Sequence, residues 1–82
     1  MSRWRCRIAV AATSARRSGV LSRIVGYFSD RGISLHEVHA HHPDNGPAIE
    51  LVFDAEPDLA QHLVRRLLRQ ADVQGVDLLP LS

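Results

Sequence analysis

Two stretches of this 82-residue chain carry residue types that can bind a ligand. The first is Ser18-Gly19-Val20-Leu21, where a serine and a glycine precede apolar residues at helical spacing. Ser18 is a favourable helix N-cap, and Gly19 leaves the helix start uncovered by a side chain. The first amides of a helix lack intrahelical acceptors and lie at the positive end of the helix dipole. This stretch therefore predicts a site that favours an anion such as a carboxylate.

The second stretch is H-E-V-H-A-H-H over residues 36–42, which holds four of the five histidines. Residues two apart on a strand share a face, so His39 and His41 would lie together, and His36 and His42 would lie on the opposite face. Imidazoles on one face of a strand can share a metal ion, which makes His39 and His41 the metal candidates. Three interpretations stay open: a polar strand end, a metal site, and a pH-sensitive switch.

The chain offers little for catalysis. It contains no glycine-rich phosphate loop, no nucleophile beside an obvious base, and no acidic pair in a forced geometry. We therefore predict no catalytic residue and no cofactor. Glu37, Glu50 and Asp54 are interpreted as solvated strand residues, and His62 as a residue at the edge of a helix.

Length and composition limit the classes of protein that remain. The length predicts a single domain over residues 1–82, and the lone Cys6 excludes an internal disulfide. A net charge of +1 gives no strong attraction to nucleic acid or to a membrane surface. We expect a cytoplasmic protein with neither of these as its partner. A chain this short buries only ~60–65% of its unfolded surface, so association with a second copy would add stability.

Hydrophobic periodicity predicts the elements that position the two stretches. Residues 3–13 alternate as a half-buried strand. Its core face carries Trp4, Cys6, Ile8, Val10 and Ala12, and its other face carries Arg3, Arg5 and Arg7. A helix of about 12 residues begins at Ser18 and ends before Gly32, which suits the end of a helix.

The second half of the chain continues with two strands, a helix and a last strand. Strands are predicted over 33–42 and 48–53, and the short turn at 43–47 makes them an antiparallel hairpin. Pro57 starts a second helix whose apolar stripe comprises Leu59, Ala60, Leu63, Val64, Leu67 and Leu68, and a last strand covers 73–79. The order is the α+β ferredoxin-like βαββαβ, a four-stranded antiparallel sheet with two helices on one face. The other face and the sheet edges are left for water or a second subunit.

The run S-G-V-L-S-R-I-V-G-Y-F-S-D-R-G-I-S-L over residues 18–35 resembles the first helix and second strand of ACT domains. It is most similar to the regulatory small subunit of acetolactate synthase, whose pattern is S-G-x-L-S-R-x-x-G-L-F-S-x-R-G-x-N-I. The resemblance implies a regulatory domain rather than an enzyme. Such a domain pairs through its sheet into a homodimer or higher oligomer and binds an amino acid at the interface. It also implies a catalytic subunit as a partner, with acetolactate synthase or a related amino-acid enzyme as the first choice.

The resemblance also implies, by position, a ligand site shared between two chains. It comprises Arg16, Ser18, Gly19, Val20 and Leu21 of one chain and Ser34 and Leu35 of the facing chain. The valine-sensing pattern has asparagine at the positions of Arg16 and Ser34, and arginine can only donate hydrogen bonds. An amino acid, another small anion and an interface without a ligand all stay open. The alternative function is a metal-binding or structural assembly module that uses the His36–His42 strand.

Overall fold

The computed structural model describes residues 1–12, 19–42 and 46–81, and these residues contain six elements. The strands are β1 (Ser2–Val10), β2 (Leu35–His41), β3 (Ala48–Ala55) and β4 (Val73–Pro80), and the helices are α1 (Val20–Ser29) and α2 (Pro57–Leu67). All strand pairs are antiparallel, in the order β2-β3-β1-β4. The predicted ferredoxin-like α+β fold is therefore confirmed. Among the described residues, neither helix is long and apolar enough to cross a membrane.

The core lies between the two helices and the inward face of the central strands β1 and β3. The predicted core residues of β1 are buried, from Trp4 to Val10, and the indole N–H of Trp4 donates to the carbonyl of Ala55 at 3.0 Å. Phe28 of α1 packs on Phe53 of β3 with ring centroids 5.1 Å apart. The two rings fill the centre of the core, since both are almost fully buried.

Helix α1 is slightly shorter than the sequence suggests, at 10 residues rather than about 12. Gly19 precedes it in the left-handed conformation, with φ 95°. Gly32 follows it with φ 72°, the conformation that favours glycine after a helix. The proposed capping residue Ser18 lies outside the described residues.

Three apolar residues assigned to the core are exposed instead. Strand β1 ends at Val10, so Ala12 lies beyond the alternating segment and is exposed. On α2 the sheet covers only Ala60, Leu63 and Leu67. Leu59 and Leu68 are 37% and 49% exposed, because the leucine stripe is wider than the contact.

The sheet has an open face opposite the helices, and a bulge in β2 decides which histidines lie on it. Leu35 pairs with Phe53 and Glu37 pairs with Val52, so His36 is an extra residue between them. The extra residue puts His36 on the open face, where it contacts Asp54. The prediction that it shares a face with His42 was wrong, because simple alternation does not hold across a bulge. It lies instead on the face of His39 and His41, which pair with Glu50 and Ala48.

Candidate functional site

A pocket of about 420 Å³ lies where α1 begins, beside the adjoining ends of β2 and β3. Its volume is in the range of small-molecule sites. Gly19, Val20 and Leu21 form the helix side. The rest of the lining comprises Val10, Ala40, His41, His42, Pro47, Ala48 and Ile49.

Strand pairing brings these separate segments together. The backbone N–H of Val10 donates to the carbonyl of Pro47 at 3.0 Å, which ties the end of β1 to the start of β3. The antiparallel register places Ala40 opposite Ile49 in the same region. The chain therefore enters α1 next to the hairpin that joins β2 to β3.

The N-terminus of α1 gives the pocket a preference for anions. The first intrahelical bond runs from the N–H of Arg23 to the carbonyl of Gly19 at 2.8 Å, so the amides before Arg23 precede the helical ladder. Within the described part of the chain, no side chain caps this end, and the first turn contains no acidic residue. Helix α2 differs, since it carries Asp58 in its first turn. The positive end of the α1 dipole is thus available to a carboxylate.

The remaining lining combines an apolar floor with a polar rim. Val20 and Ile49 are each 5% exposed and form the floor, whereas Leu21 is 39% exposed at the mouth. His41 and His42, both exposed, complete the rim, although the His41 imidazole lies towards Glu50 on the open face. A small molecule with one anionic group and one aliphatic group matches this distribution of surfaces.

The residues named from the sequence fall into three groups. Gly19, Val20 and Leu21 line the pocket, whereas Arg16 and Ser18 lie outside the described residues. Ser34 and Leu35 stand at the opposite end of the sheet, since Leu35 pairs with Phe53 and the pocket lies at Ala48 and Ile49. One chain does not bring these two sets together, so a shared site needs a second chain.

The sequence interpretation missed part of the lining: Val10, Ala40, His42, Pro47, Ala48 and Ile49. Chain topology is the signal for them. In a βαββ order with antiparallel strands, the hairpin after β2 lies at the same end of the sheet as the loop after β1. Residues beside that hairpin therefore approach the start of α1.

The open face carries a second set of polar contacts, away from the pocket. His36 Nε2 lies 2.8 Å from Asp54 Oδ2, and Arg3 Nε donates to Asp54 Oδ1 at 3.0 Å. The hydrogen bonds from Arg3 and then from His36 lower the pKa of Asp54 to about 2. On the covered face, burial and then the charge of Asp77 raise the pKa of Cys6 to about 12, which keeps this thiol protonated.

The proposed metal candidates lie on the open face beside different carboxylates. His39 Nε2 is 3.4 Å from Glu37, and His41 Nε2 is 3.8 Å from Glu50. Across residues 1–12, 19–42 and 46–81, no group of three or more His, Cys, Asp or Glu side chains is arranged to hold a metal ion.

Comparison with known proteins identifies the fold. No family profile and no curated protein matches the sequence. Among solved structures, the chain is similar to the ACT domain of GTP pyrophosphokinase from Chlorobium tepidum, with TM-score 0.71, 19% identity, and 95% of this chain and 97% of that chain covered. It is also similar to the regulatory subunit of aspartate kinase from Thermus thermophilus, with TM-score 0.63, 16% identity, and 98% and 52% covered. Acylphosphatase from Bacillus subtilis matches with TM-score 0.65 and 12% identity, with 98% and 84% covered.

These comparisons place the chain in the ferredoxin-like class and show that it has the fold of ACT domains. The acylphosphatase shares the same architecture and is an enzyme, so the fold alone does not separate binding from catalysis. The function must therefore be inferred from the geometry and chemistry of the site.

Proposed function

We propose that this chain is a regulatory domain of the ACT type that binds an amino acid or another small carboxylate. The observation that carries the proposal is the pocket of about 420 Å³ at the N-terminus of α1. Backbone amides of the first turn hold the carboxylate, and the apolar floor at Val20 and Ile49 receives the aliphatic part. The fold likeness to an ACT domain and to a kinase regulatory subunit supports this reading.

The proposed regulation works through a homodimer or higher oligomer that associates through the sheet. A ligand in the pocket also contacts Ser34 and Leu35 of the partner subunit, which lie too far from the pocket to reach it within one chain. A ligand shared in this way stabilises one arrangement of the two chains over another. It shifts the population only by its difference in affinity for the two arrangements.

The proposed target is the catalytic subunit of acetolactate synthase or a related amino-acid enzyme. This choice rests on the resemblance of residues 18–35 to the small subunit of that enzyme. Adding the purified chain to the catalytic subunit, with and without valine, tests it directly. A rate that changes only when both are present supports the choice, and an unchanged rate directs the search to another enzyme.

The ligand site is tested by calorimetry and thermal shift with the twenty amino acids, inorganic anions, Ni²⁺ and Zn²⁺. A ligand at 100 times its dissociation constant stabilises the folded state by about 2.7 kcal/mol, which raises Tm by several degrees in a domain of this size. A shift with an amino acid supports the proposal. A shift with metal alone favours the metal-binding assembly module instead.

Two leucines provide a matched pair of variants for locating the site. Leu21 in the first turn of α1 and Leu59 in the first turn of α2 are 39% and 37% exposed. Leu21→Asp puts a carboxylate at the mouth of the pocket and should weaken the binding of a carboxylate ligand by about tenfold or more, since like charges repel at this distance. Leu59→Asp adds the same charge to the other helix and should leave affinity unchanged. Equal affinities of the two variants would remove the start of α1 from the site.

A further inference from the structure

The open face of the sheet carries its charges in columns that follow the strands. The register places four side chains from neighbouring strands side by side in each row. One row is Glu37, Val52, Arg5 and Leu79, and the next is His39, Glu50, Arg7 and Asp77. A third row begins with His36, Asp54 and Arg3, and Leu81 bonds to the backbone of Arg3 at its end.

The two central strands carry opposite charges. Strand β1 presents Arg3, Arg5 and Arg7, and the adjacent β3 presents Asp54 and Glu50 at the positions opposite Arg3 and Arg7. The centre line of the four-stranded sheet runs between these two strands, because the order is β2-β3-β1-β4. The face is therefore basic on one side of its centre line and acidic on the other.

We propose that a second copy of this chain packs on the open face, with a two-fold axis parallel to the strands between β1 and β3. Rotation about this axis keeps each row at the same height along the strands. It places β1 of one copy over β3 of the other. Arg3 then faces the partner's Asp54, and Arg7 faces the partner's Glu50. The outer strands exchange as well, which brings β2 over β4 and places His39 opposite the partner's Asp77. This face-to-face contact is separate from the ligand-sharing contact proposed above, because rotation about this axis leaves the partner's Ser34 and the partner's Leu35 at the end of the sheet opposite the pocket. It would be a second contact of a higher oligomer, on the side of the sheet away from the helices.

The existing ion pairs leave capacity for such contacts. Arg7 and Glu50 approach only to 3.7 Å within the chain, and their side chains are 40% and 28% exposed. A carboxylate has two oxygens and about four acceptor sites, so Glu50 can accept from a second guanidinium. Face-to-face sheets pack ~10 Å apart, a spacing that long charged side chains from both sheets can fill.

The apolar side chains of the open face also fit this arrangement. Leu79 and Leu81 on the β4 side are 56% and 42% exposed, whereas Val52 at the centre is only 4% exposed. Exchange of the outer strands would cover both leucines with β2 of the second copy. Burial of apolar surface contributes to association, while the columns of charge fix the register.

The decisive test mixes two charge-reversed variants. Arg7→Glu and Glu50→Arg each place like charges across the proposed interface, so each should associate with itself at least about tenfold more weakly than the wild type. In a mixture of the two, both contacts between chains join a glutamate to an arginine. Within each chain, however, positions 7 and 50 still repel. Association restored by mixing therefore reports a contact between chains.

The measurement is fluorescence anisotropy of Arg7→Glu labelled on an added thiol, Gln61→Cys, which is exposed on α2 and far from the sheet. Binding to Glu50→Arg should be about tenfold or more tighter than binding to unlabelled Arg7→Glu. Because Glu50→Arg also has a more positive net charge than Arg7→Glu, Asp58→Arg, which makes the same change of charge on α2, is titrated as the matched partner and should bind more weakly than Glu50→Arg. Equal affinities would overturn the proposal. Arg65→Glu on α2 serves as the control and should associate as the wild type does.

Sedimentation equilibrium of the wild type gives a second measurement that needs no variant. A contact built on charge columns weakens when NaCl rises from 50 to 500 mM, because salt screens exposed charges. A monomer at every concentration, or an association unaffected by salt, would contradict the proposal. Calorimetry with the twenty amino acids is run on the same samples. If none of them binds, the proposed function fails and the face-to-face contact still stands.

Discussion

The backbone N–H of Val10 donates to the carbonyl of Pro47 at 3.0 Å, and this bond joins two segments that the sequence separates by 37 positions. It holds the last residue of β1 beside the residue before β3. The hairpin end of β2 and the start of α1 therefore share one end of the sheet. The candidate pocket exists because these connections meet there, and not because of any local motif.

Gly19 precedes α1 and Gly26 lies within it, and substitution of each by alanine should change the free energy of unfolding in opposite directions. Gly19 has φ 95°, and a Cβ there would meet nothing within 4 Å, so Gly19→Ala carries backbone strain alone. We expect a loss of roughly 1–2 kcal/mol in the free energy of unfolding. Gly26 is helical, with equally open surroundings. Gly26→Ala should add roughly 0.5–1 kcal/mol, because alanine loses less backbone entropy than glycine.

Urea denaturation of the two glycine variants measures both effects under one condition. The opposite signs are the essential result. If Gly19→Ala were as stable as the wild type, the left-handed conformation at the start of α1 would be wrong.

The paired aromatic rings should dominate the stability of the core. Phe28 is fully buried and packs on Phe53 at a centroid distance of 5.1 Å. Phe28→Ala should cost about 3–5 kcal/mol through lost burial and the cavity left behind, a large part of the roughly 5–15 kcal/mol that stabilises a typical domain. Phe28→Leu keeps most of the volume and should cost clearly less in the same urea titration. Similar midpoints for both variants would show that the ring does not fill the core.

The contact of Arg3 with Asp54 predicts a dependence of stability on acid pH. The pKa of Asp54 falls from its ordinary 3.8 to about 2 in the folded state, through the hydrogen bonds from Arg3 and His36. The unfolded chain therefore binds the proton first as pH decreases, and the stabilisation present above pH 4 is lost between about pH 4 and pH 2. Tm measured over this interval should fall less steeply in Asp54→Asn. Arg3→Gln, which removes the main donor, should flatten the slope as well; two unchanged slopes would rule out this contact in solution.

The reaction rate of the Cys6 thiol should measure unfolding of the chain, because this thiol is buried in the folded state. Cys6 is 1% exposed, and burial raises its pKa to about 12. Since the thiolate is the reactive form, an aromatic disulfide reagent at pH 8 should modify Cys6 only when the fold opens. The rate should rise with urea in step with the unfolded fraction. Cys6→Ala with Gln61→Cys moves the thiol to an exposed helix position, where labelling should be fast without urea.

The part of the structure that could be predicted from sequence is the part set by local periodicity. The alternation from Trp4 to Val10 identifies the core face of β1, because side chains alternate along any regular strand. Gly32 marks the end of α1 because a left-handed residue favours glycine. These features need only neighbours along the chain.

The features that escaped prediction depend on pairing between distant segments. His42 enters the pocket because a hairpin and a helix start share one end of the sheet. Leu59 and Leu68 belong to the apolar stripe of α2, yet the width of the sheet beneath decides which leucines are covered. The bulge at His36 follows from the register of β2 on β3, which no local pattern of residues signals.

That bulge also affects how this chain should be aligned with others. Leu35 points to the helices, and the core-facing series resumes at Val38, three positions later instead of two. A relative that lacks the extra residue would show the same outward side chains one position closer to its first helix. An alignment should therefore place a one-residue gap at 36–37 rather than in the hairpin turn. The length of this short segment encodes the orientation of every later side chain in β2.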